Sequence, residues 1–319
     1  MSKAHRYRAA YSYFHKSRRL FCVLLQLHSH LDKVAKSMRK EDASMSNCNV
    51  IALINQKGGV GKSTTTVNLG VGLAKQDKKV LLIDADAQAN VTMSLGYTRP
   101  ETLPITLPNI IEDIIDEKPF DAEQCILHSV EGVDLLPSTI ELAGYEAEII
   151  NAKNRERVLK TFIDKVKMNY DYVLIDCMPS LGMFPINAMA AADSVIIPTQ
   201  PHFFSAKGLE QLLRSVSKVR RQINPKLRID GILMTMVMPR TNSSKEVTAS
   251  IKSAYGQKIK VFDAQIPFAI SVVDASAAGK SIFAYDKRGK AAAAYEQFSK
   301  EVADIGEKQR NKNRADRIR

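Results

Sequence analysis

The feature that most constrains the fold is a glycine-rich segment at residues 50–66, with the sequence VIALINQKGGVGKSTTT. Five apolar residues come first, lysines and glycines follow, and hydroxyl residues then lead into another apolar stretch. This order is typical of a buried strand, a phosphate-binding loop and a helix. The glycines allow a tight turn whose backbone N–H groups, together with the helix N-terminus, can hold phosphate oxygens. The segment therefore predicts a nucleotide site.

Individual residues of this loop have predicted roles. Lys62 is expected to reach the β- and γ-phosphates, and the Ser63 hydroxyl is expected to ligate Mg²⁺. The loop departs from the pattern G-x-x-x-x-G-K-[ST], because Gln56 stands five residues before Gly61 and a second lysine, Lys57, follows it. The predicted nucleotide-binding residues of the loop are Lys57, Gly58, Gly59, Val60, Gly61, Lys62, Ser63 and Thr64.

Carboxylates end two further apolar runs. These runs are KVLLI at residues 79–83 and YVLI at residues 172–175. Nearly continuous apolar runs of this kind are typical of parallel strands that are buried on both faces. Asp84 and Asp86 follow the first run and Asp176 follows the second, at the strand ends where open α/β sheets bind their ligands. A carboxylate at Asp176 is suited to hold Mg²⁺ through its water shell. Asp84 is equally suited to cap a turn.

The alternation of strand and helix patterns predicts an α/β fold, a doubly wound, mostly parallel sheet with helices on both faces. Three further strands are expected, at residues 133–137, 194–198 and 229–237. Helices are expected at residues 67–74, 110–115, 140–150, 155–168, 209–219 and 291–303. We divide the chain into an extension (residues 1–44), expected to be disordered, one core domain (residues 45–306) and a tail (residues 307–319).

The formal net charge of +12 is concentrated in the two terminal segments. Residues 1–44 hold ten Lys or Arg against three Asp or Glu, and residues 307–319 hold six against two. Basic tails are usually solvated, but they also attract nucleic-acid phosphates regardless of sequence. The tail thus suits phosphate or solvent better than lipid.

Cysteine spacing and apolar length argue against several classes of protein. The apolar run at residues 20–25 is shorter than the roughly 20 residues that a bilayer requires, and no signal-peptide cleavage site follows it. No C-x-x-C pair is present, which disfavours a zinc site, a disulfide framework and an iron–sulfur centre, and suits a reducing cytoplasm. The four cysteines are Cys22, Cys48, Cys125 and Cys177.

The quoted segments resemble a known family. KGGVGKST at residues 57–64 resembles the deviant Walker A loop of the ParA/MinD ATPases. In the ParA/Soj branch, VLLIDxDPQGN is similar to VLLIDADAQAN at residues 80–90, and YDYIIIDCPPSLG to YDYVLIDCMPSLG at residues 170–182. IPTQPHFFSAKGL at residues 197–209 is similar to IPxQPxxxxxxGL. The resemblance covers residues 49–303 and implies a P-loop ATPase that uses ATP and Mg²⁺.

The resemblance also implies roles for the reacting groups. Lys57 would cross a dimer interface to the partner's phosphates, and Asp86 would orient or activate the attacking water. The implied catalytic residues are thus Lys57, Lys62 and Asp86, and the implied Mg²⁺ residues are Ser63 and Asp176. In the block around Asp86, Ala87 and Ala89 replace the family's proline and glycine.

Two more segments carry implied binding residues. Residues 266–282, IPFAISVVDASAAGKSI, are similar to the family pattern IPRNVRLSEAPSxGKPI. The resemblance implies that Pro267 lies against the adenine. The segment PRTN at residues 239–242 resembles one whose arginine, here Arg240, belongs to a DNA-contacting surface. Ser271 stands in place of a second DNA-contacting arginine, so we expect weaker DNA binding by the core.

The implied function is segregation of a plasmid, chromosome or mobile element. An ATP-bound homodimer would bind double-stranded DNA without sequence preference on the bacterial nucleoid, in the cytoplasm, and a ParB-like centromere-binding protein would stimulate hydrolysis. The alternative is a MinD-like ATPase that cycles on a membrane, which requires a C-terminal amphipathic helix. Residues 306–319 offer only Ala315 and Ile318 for an apolar face. We therefore expect no membrane partner.

Overall fold

The structure is a computed structural model that describes residues 48–202 and 205–318. The predicted basic extension, residues 1–44, lies outside the described residues. The start of the predicted core at residue 45 also lies outside them, and both remain predictions.

Eight strands within these ranges form a single sheet. They are β1 (Asn49–Leu53), β2 (Val80–Ala85), β3 (Leu127–Val130), β4 (Val133–Leu136), β5 (Tyr172–Cys177), β6 (Ser194–Thr199), β7 (Arg228–Val237) and β8 (Val261–Pro267). Their order across the sheet is β3-β4-β2-β5-β1-β6-β7-β8, and all neighbours are parallel except β3 and β4. The predicted fold class is confirmed.

Helices cover both faces of this sheet. They are α1 (Lys62–Ala74), α2 (Asn90–Ser94), α3 (Leu107–Ile115), α4 (Leu142–Asn151), α5 (Val158–Val166), α6 (Met183–Ala191), α7 (Ser205–Gln222), α8 (Asn242–Tyr255), α9 (Ile270–Ala277), α10 (Ile282–Tyr285) and α11 (Lys290–Ile318). The apolar residues of α1, α2, α9, α10 and α11 form one core layer, and those of α3 to α8 form the other. Strands β1, β2, β5 and β6 lie between the layers and are buried along their whole length.

Two strands, β3 and β8, and five helices were missed from the sequence; the missed helices are α2, α6, α8, α9 and α10, of which α2 and α10 are only one turn long. Strand β8 lies at an edge of the sheet, so its residues alternate between buried and more exposed and its apolar run is interrupted. Strand β3 is a short strand at the other edge. Helix α6 is buried on nearly all sides and therefore lacks an apolar stripe of helical spacing. Helices α8 and α9 present few buried residues.

The strand register brings the predicted site residues to one edge. Asp84 of β2 is the direct partner of Asp176 on β5, and Asp176 is in turn the partner of Leu53 on β1. The glycine-rich loop begins immediately after Leu53. The carboxylates and the loop therefore meet at the carboxyl edge of three adjacent strands, which is where open parallel sheets bind ligands.

The C-terminal helix is longer than the sequence predicted. Helical spacing predicts a helix at residues 291–303, followed by a polar tail, but α11 continues without a break to Ile318. No helix within the described ranges is long and apolar enough to cross a bilayer.

Side-chain contacts hold the added turns of α11 against the body. Glu307 pairs with Lys78 at 3.3 Å. The Arg310 guanidinium lies 5.6 Å from the Tyr172 ring centroid, and its Nη1 lies 3.5 Å from Asp171 Oδ1. Lys78 and Asp171 precede β2 and β5, and Tyr172 is the first residue of β5, so this part of α11 lies at the amino edge of the sheet, opposite the predicted site.

A close approach at Gly306 leads to a stability prediction. A Cβ at position 306 would overlap the Tyr172 hydroxyl oxygen and lie 3.1 Å from Asn49 Nδ2. We expect Gly306→Val to lower the free energy of unfolding by about 1–3 kcal/mol, because overpacking forces side chains or backbone to move. Urea denaturation followed by circular dichroism measures the change.

The matched control is Gly144→Val in α4, where an added Cβ meets no atom within 4 Å. This substitution is expected to change the free energy of unfolding by less than about 0.5 kcal/mol. Equal effects at the two positions would contradict the close packing of α11 on Tyr172.

Candidate nucleotide site

The glycine-rich loop, residues 54–61, connects β1 to α1 at the carboxyl edge of the sheet. Gly59 has a φ of 67° and Gly61 a φ of 81°, a left-handed conformation that glycine adopts without the steric cost of a Cβ. Helix α1 begins immediately after Gly61, and its first N–H groups have no partner within the helix. The predicted residues from Gly58 to Thr64 thus form one tight turn and helix start, which is a geometry that binds anions.

Hydrogen bonds within the loop and to the end of β6 hold this loop in place. Asn55 Nδ2 donates a hydrogen bond to the Pro198 carbonyl at 2.7 Å, and Asn55 Oδ1 accepts one from the Lys57 backbone N–H at 3.0 Å. Gln200, which directly follows β6, donates a hydrogen bond from Nε2 to the Gly59 carbonyl at 2.7 Å. The sequence interpretation assigned no role to these side chains, although Gln200 lies in a segment that resembles the family.

Thr235 of β7 supplies a third support. Its hydroxyl donates to the Val60 carbonyl at 2.8 Å, and it is buried. No sequence signal marks Thr235, because it is a single hydroxyl residue among the apolar residues 232–237 of β7. The loop is therefore fixed by β6 and β7 in addition to the strand that precedes it.

Lys62 is a buried cation at the start of α1. Its side chain is 6% exposed, and Nζ lies 3.4 Å from the Lys57 carbonyl oxygen. Burial lowers the pKa of the Lys62 ammonium, while the nearby Asp176, Cys177 and Asp86 oppose that shift by favouring the charged form. A phosphate beside Lys62 would complete the neutralisation of this charge.

Asp176 is a fully buried carboxylate at the end of β5. Its Oδ1 accepts a hydrogen bond from the Thr66 hydroxyl at 3.3 Å, but within the described residues its Oδ2 is buried and has no hydrogen-bond partner. Burial raises the pKa of Asp176, and the neighbouring Asp84 raises it further, while Ser63 and Lys62 lower it. An unpartnered carboxylate oxygen beside a serine hydroxyl fits a bound divalent cation.

The two carboxylates after β2 have different surroundings. Asp84 is fully buried, and its Oδ2 accepts hydrogen bonds from the Thr92 N–H at 2.9 Å and the Thr92 hydroxyl at 2.7 Å. Burial raises the pKa of Asp84, against these hydrogen bonds. Asp86 Oδ1 accepts only a bond from the Gln88 N–H at 3.0 Å among the contacts of the described chain. Asp84 thus anchors the turn, which leaves Asp86 as the carboxylate suited to act on a ligand.

The turn between Asp86 and α2 has a strained residue. Ala89 has a φ of 50°, a left-handed conformation in a residue that carries a Cβ. Ala89 occupies the position of the glycine in the resembling family pattern, and glycine would adopt this conformation without cost. Alanine there costs roughly 1–2 kcal/mol, which the two hydrogen bonds between Asp84 and Thr92 help to offset.

A pocket continues from the glycine-rich loop toward the end of β8. It has an empty volume of about 640 Å³, including its open mouth. Gly61 and Thr64 of the loop line this pocket together with Pro267, the residue predicted to lie against adenine. The other lining residues are Thr235, Met236, Ile266, Phe268, Ala269, Val272, Val273, Ser276 and Tyr295. The structure thus brings Pro267 next to the loop, although more than 200 residues separate them in sequence.

Lys57 and Arg240 lie outside the buried part of the site. Lys57 is exposed, and its backbone N–H is held by Asn55. Arg240 is exposed in the turn that follows β7. Ser271, which stands where the family pattern has an arginine, is partly buried in α9.

Two of the described cysteines, Cys125 and Cys177, are buried where the thiolate form is disfavoured. Burial raises the pKa of the Cys177 thiol well above its usual range, and it raises that of Cys125 to about 11. In the described ranges no three His, Cys, Asp or Glu side chains are grouped so as to hold a metal ion by themselves. Mg²⁺ needs no such group, because it keeps several waters and takes few protein ligands.

Comparison with known proteins identifies the family. Residues 48–229 match a family described as an AAA domain. The chain is 41% identical over 257 residues to the sporulation initiation inhibitor protein Soj of Bacillus subtilis (strain 168), covering 81% of this chain and 99% of that protein. The chain belongs to the ParA/MinD family of P-loop ATPases. The predicted family is therefore confirmed.

Two further similarities support this assignment. The chain is 38% identical over 255 residues to the chromosome partitioning protein ParA of Caulobacter vibrioides (strain NA1000 / CB15N), which covers 79% of this chain and 93% of that protein. The crystal structure of cobyrinic acid a,c-diamide synthase from Mycobacterium smegmatis, with bound ATP analog and magnesium, superposes with a TM-score of 0.70. Its sequence identity is 33%, over 79% of this chain and 93% of that one.

Proposed function

We propose that this ParA-type ATPase binds ATP and Mg²⁺, dimerises in the ATP-bound form, and uses hydrolysis to partition DNA. The observation that carries the proposal is the buried Lys62, which directly follows a glycine-rich loop and whose charged form is favoured by the nearby Asp176, a carboxylate with an unpartnered oxygen. Relatives named for chromosome partitioning favour this cellular role. A diamide synthase with the same fold shows that the fold by itself does not decide the role.

The phosphates of ATP would bind at the loop and the start of α1. Backbone N–H groups from Gly58 to Thr64 would donate to phosphate oxygens, and Lys62 would neutralise the β- and γ-phosphates. Ser63 and Asp176 would hold Mg²⁺, which supplies positive charge to the phosphate oxygens during transfer. Pro267 would contact the adenine in the pocket beside the loop.

Asp86 would act on the water that attacks the γ-phosphate. Its carboxylate lies at the carboxyl edge near Lys62, and its Oδ1 accepts only one bond, from Gln88, in the described chain. In this role its carboxylate would accept a hydrogen bond from the water and so orient it as the bond to phosphorus forms. ADP and inorganic phosphate are the products.

Lys57 would act across a dimer interface. Its exposed side chain stands at the rim of the loop, and the Asn55 contact fixes its backbone. A lysine that reaches the partner's γ-phosphate has its binding partner only while ATP is intact. Hydrolysis would therefore weaken the dimer and release it.

DNA binding is proposed at two places that lie on opposite edges of the sheet. Arg240 follows β7 at the carboxyl edge, next to the nucleotide site, whereas the end of α11 contacts Asp171 and Lys78 at the amino edge. Beyond Arg310, residues 311–319 hold four basic residues and one acidic residue. We propose that Arg240 accounts for the ATP-dependent part of binding and that the helix end adds attraction in either state. A ParB-like protein would stimulate hydrolysis on the nucleoid.

The first prediction separates ATP binding from hydrolysis. Lys62→Ala should weaken ATP binding by about 10- to 100-fold, because it removes a charged partner of the ground-state phosphates. Asp86→Ala should bind ATP normally and lose about 10²- to 10⁴-fold in turnover, because its contribution is made to the attacking water. Fluorescent-nucleotide titration and phosphate release measure these effects.

Lys226→Ala, a change to an exposed lysine before β7, is the control and should leave both quantities unchanged. Normal turnover in Asp86→Ala would show that another group acts on the water.

The second prediction concerns dimerisation. Lys57→Ala should bind ATP as a monomer with nearly normal affinity but should not dimerise on adding ATP and Mg²⁺, because its charge acts in the partner's site. Multi-angle light scattering measures the mass, with Lys226→Ala as the matched lysine control. A Lys57→Ala protein that dimerises like the parent would rule out the cross-interface role.

The third prediction concerns DNA. Affinity for duplex DNA should be greater with ATP and independent of sequence, and its logarithm should fall with the logarithm of salt concentration by about 0.9 per phosphate neutralised. Arg240→Ala should reduce this salt slope by about 1 for each Arg240 side chain that contacts a phosphate, and it should do so only when ATP is bound. Removing residues 311–319 should reduce it in both states. Fluorescence anisotropy measures the affinity.

Arg221→Ala, at the exposed end of α7, is the matched arginine control and should leave the slope unchanged. If neither Arg240→Ala nor the truncation weakens binding, the DNA surface lies elsewhere. If the parent protein binds vesicles and not DNA, the MinD-like alternative replaces this proposal.

A further inference from the structure

An exposed apolar cluster surrounds the carboxyl end of β8. Four large apolar side chains belong to it: Met238 is 51% exposed, Phe268 57%, Ile270 69% and Val273 62%. The Phe268 N–H donates to the Val237 carbonyl at 3.1 Å, which brings the turn after β7 next to the turn after β8. Neighbouring exposed apolar side chains usually mark a binding surface.

The nucleotide pocket divides this cluster. Phe268 and Val273 line the pocket together with Gly61 and Thr64 of the phosphate loop, while Met238 and Ile270 are not part of its wall. Phe268 lines the pocket and is also more than half exposed, so it stands at the mouth of the pocket, next in sequence to Pro267, the residue predicted to contact adenine. The exposure of Phe268 therefore has an explanation that does not apply to Ile270.

The chemistry of the remaining wall restricts what the pocket can hold. The Thr235 hydroxyl donates to Val60, and the Ser276 hydroxyl donates to the Val272 carbonyl at 3.2 Å. The Tyr295 hydroxyl lies 3.4 Å from the Thr65 hydroxyl. No charged side chain lines this pocket within the described residues. This wall therefore suits an uncharged group, and because Gly61 and Thr64 also line the pocket, it suits one that is joined to a phosphate at the loop.

We propose that Phe268 stacks on the purine base of the nucleotide and is a binding residue of this ATPase. The inference rests on the proposed function, because it assigns the base to the pocket that continues from the phosphate loop. A purine offers an apolar face to the ring, and most of the side chains that line the pocket are apolar. Phe268 and the preceding Pro267 would then both contact the base, and the Phe268 ring would cover it at the mouth of the pocket.

The test compares a ligand that has a base with one that has only phosphates. Isothermal titration calorimetry is run with Mg-ATP and with Mg-tripolyphosphate on the full chain, Phe268→Ala, Phe268→Tyr and the control Ile270→Ala. Stacking of a base on an aromatic ring contributes about 1–3 kcal/mol, so Phe268→Ala should weaken ATP binding by about 5- to 100-fold. Its affinity for tripolyphosphate should not change.

Phe268→Tyr keeps the ring and should retain ATP affinity within about twofold, and Ile270→Ala should match the parent for both ligands. Unchanged ATP affinity in Phe268→Ala overturns the inference. Equal weakening of ATP and tripolyphosphate also overturns it, because the change would then act through the phosphate loop. Loss of ATP affinity in Ile270→Ala overturns it too, since the whole cluster would then be responsible.

The proposed function can fail independently of Phe268. If the parent chain binds neither ATP nor tripolyphosphate, the nucleotide site itself is wrong and the inference falls with it. If the parent binds both and Phe268→Ala behaves like the parent, only the stacking role is lost.

Discussion

The structure depends on holding one buried lysine near buried carboxylates at the carboxyl edge of the sheet. Lys62 is almost fully buried, and so are Asp84, Asp86 and Asp176. Burial disfavours the charged forms of Lys62, Asp84 and Asp176, and Asp84 and Asp176 repel each other. Only the attraction between Lys62 and Asp176 and a few hydrogen bonds compensate for the lost solvation. An anion beside Lys62 and a divalent cation beside Asp176 would relieve this arrangement, so the site is built for a ligand that brings both.

Sheet order places every part of the site around β1. To one side, β5 and β2 supply Asp176 and Asp84, in register with one another. To the other side, the residues after β6 and within β7 supply Gln200 and Thr235, which hold the carbonyls of the loop. One pair of strands therefore places charged side chains beside the loop, and the other pair fixes the conformation of its backbone. A change in either pair would alter phosphate binding without touching the loop sequence.

The departures from the family pattern have local physical consequences. Ala89 adopts a left-handed conformation where glycine would do so without strain, and the Asp84–Thr92 hydrogen bonds hold that turn closed. Phe268 replaces a cationic residue of the resembling pattern with an exposed ring beside the nucleotide pocket. The first change affects the turn that carries Asp86, and the second changes the surface of the pocket beside the loop.

Much of the fold could be predicted because its signals are local in the chain. The buried central strands read as continuous apolar runs, and the loop reads as a short motif between a strand and a helix. Edge strands such as β8 and all-round buried helices such as α6 lack such a signal, since their burial depends on what packs against them. The end of α11 was missed for the same reason, because Arg310 is held by Tyr172 from a distant part of the chain.

The sequence by itself determined the phosphate loop, the carboxylates at the strand ends, the parallel α/β class and the family. Each of these is written in a few consecutive residues whose type and spacing have a direct physical meaning. Only the tertiary structure decided that Asp84 is a structural anchor while Asp86 remains available, that Pro267 and Phe268 stand beside the loop, and that Arg240 and the end of α11 lie on opposite edges. These relations join residues far apart in the chain, and strand order and register, which no local pattern encodes, set the distances between them.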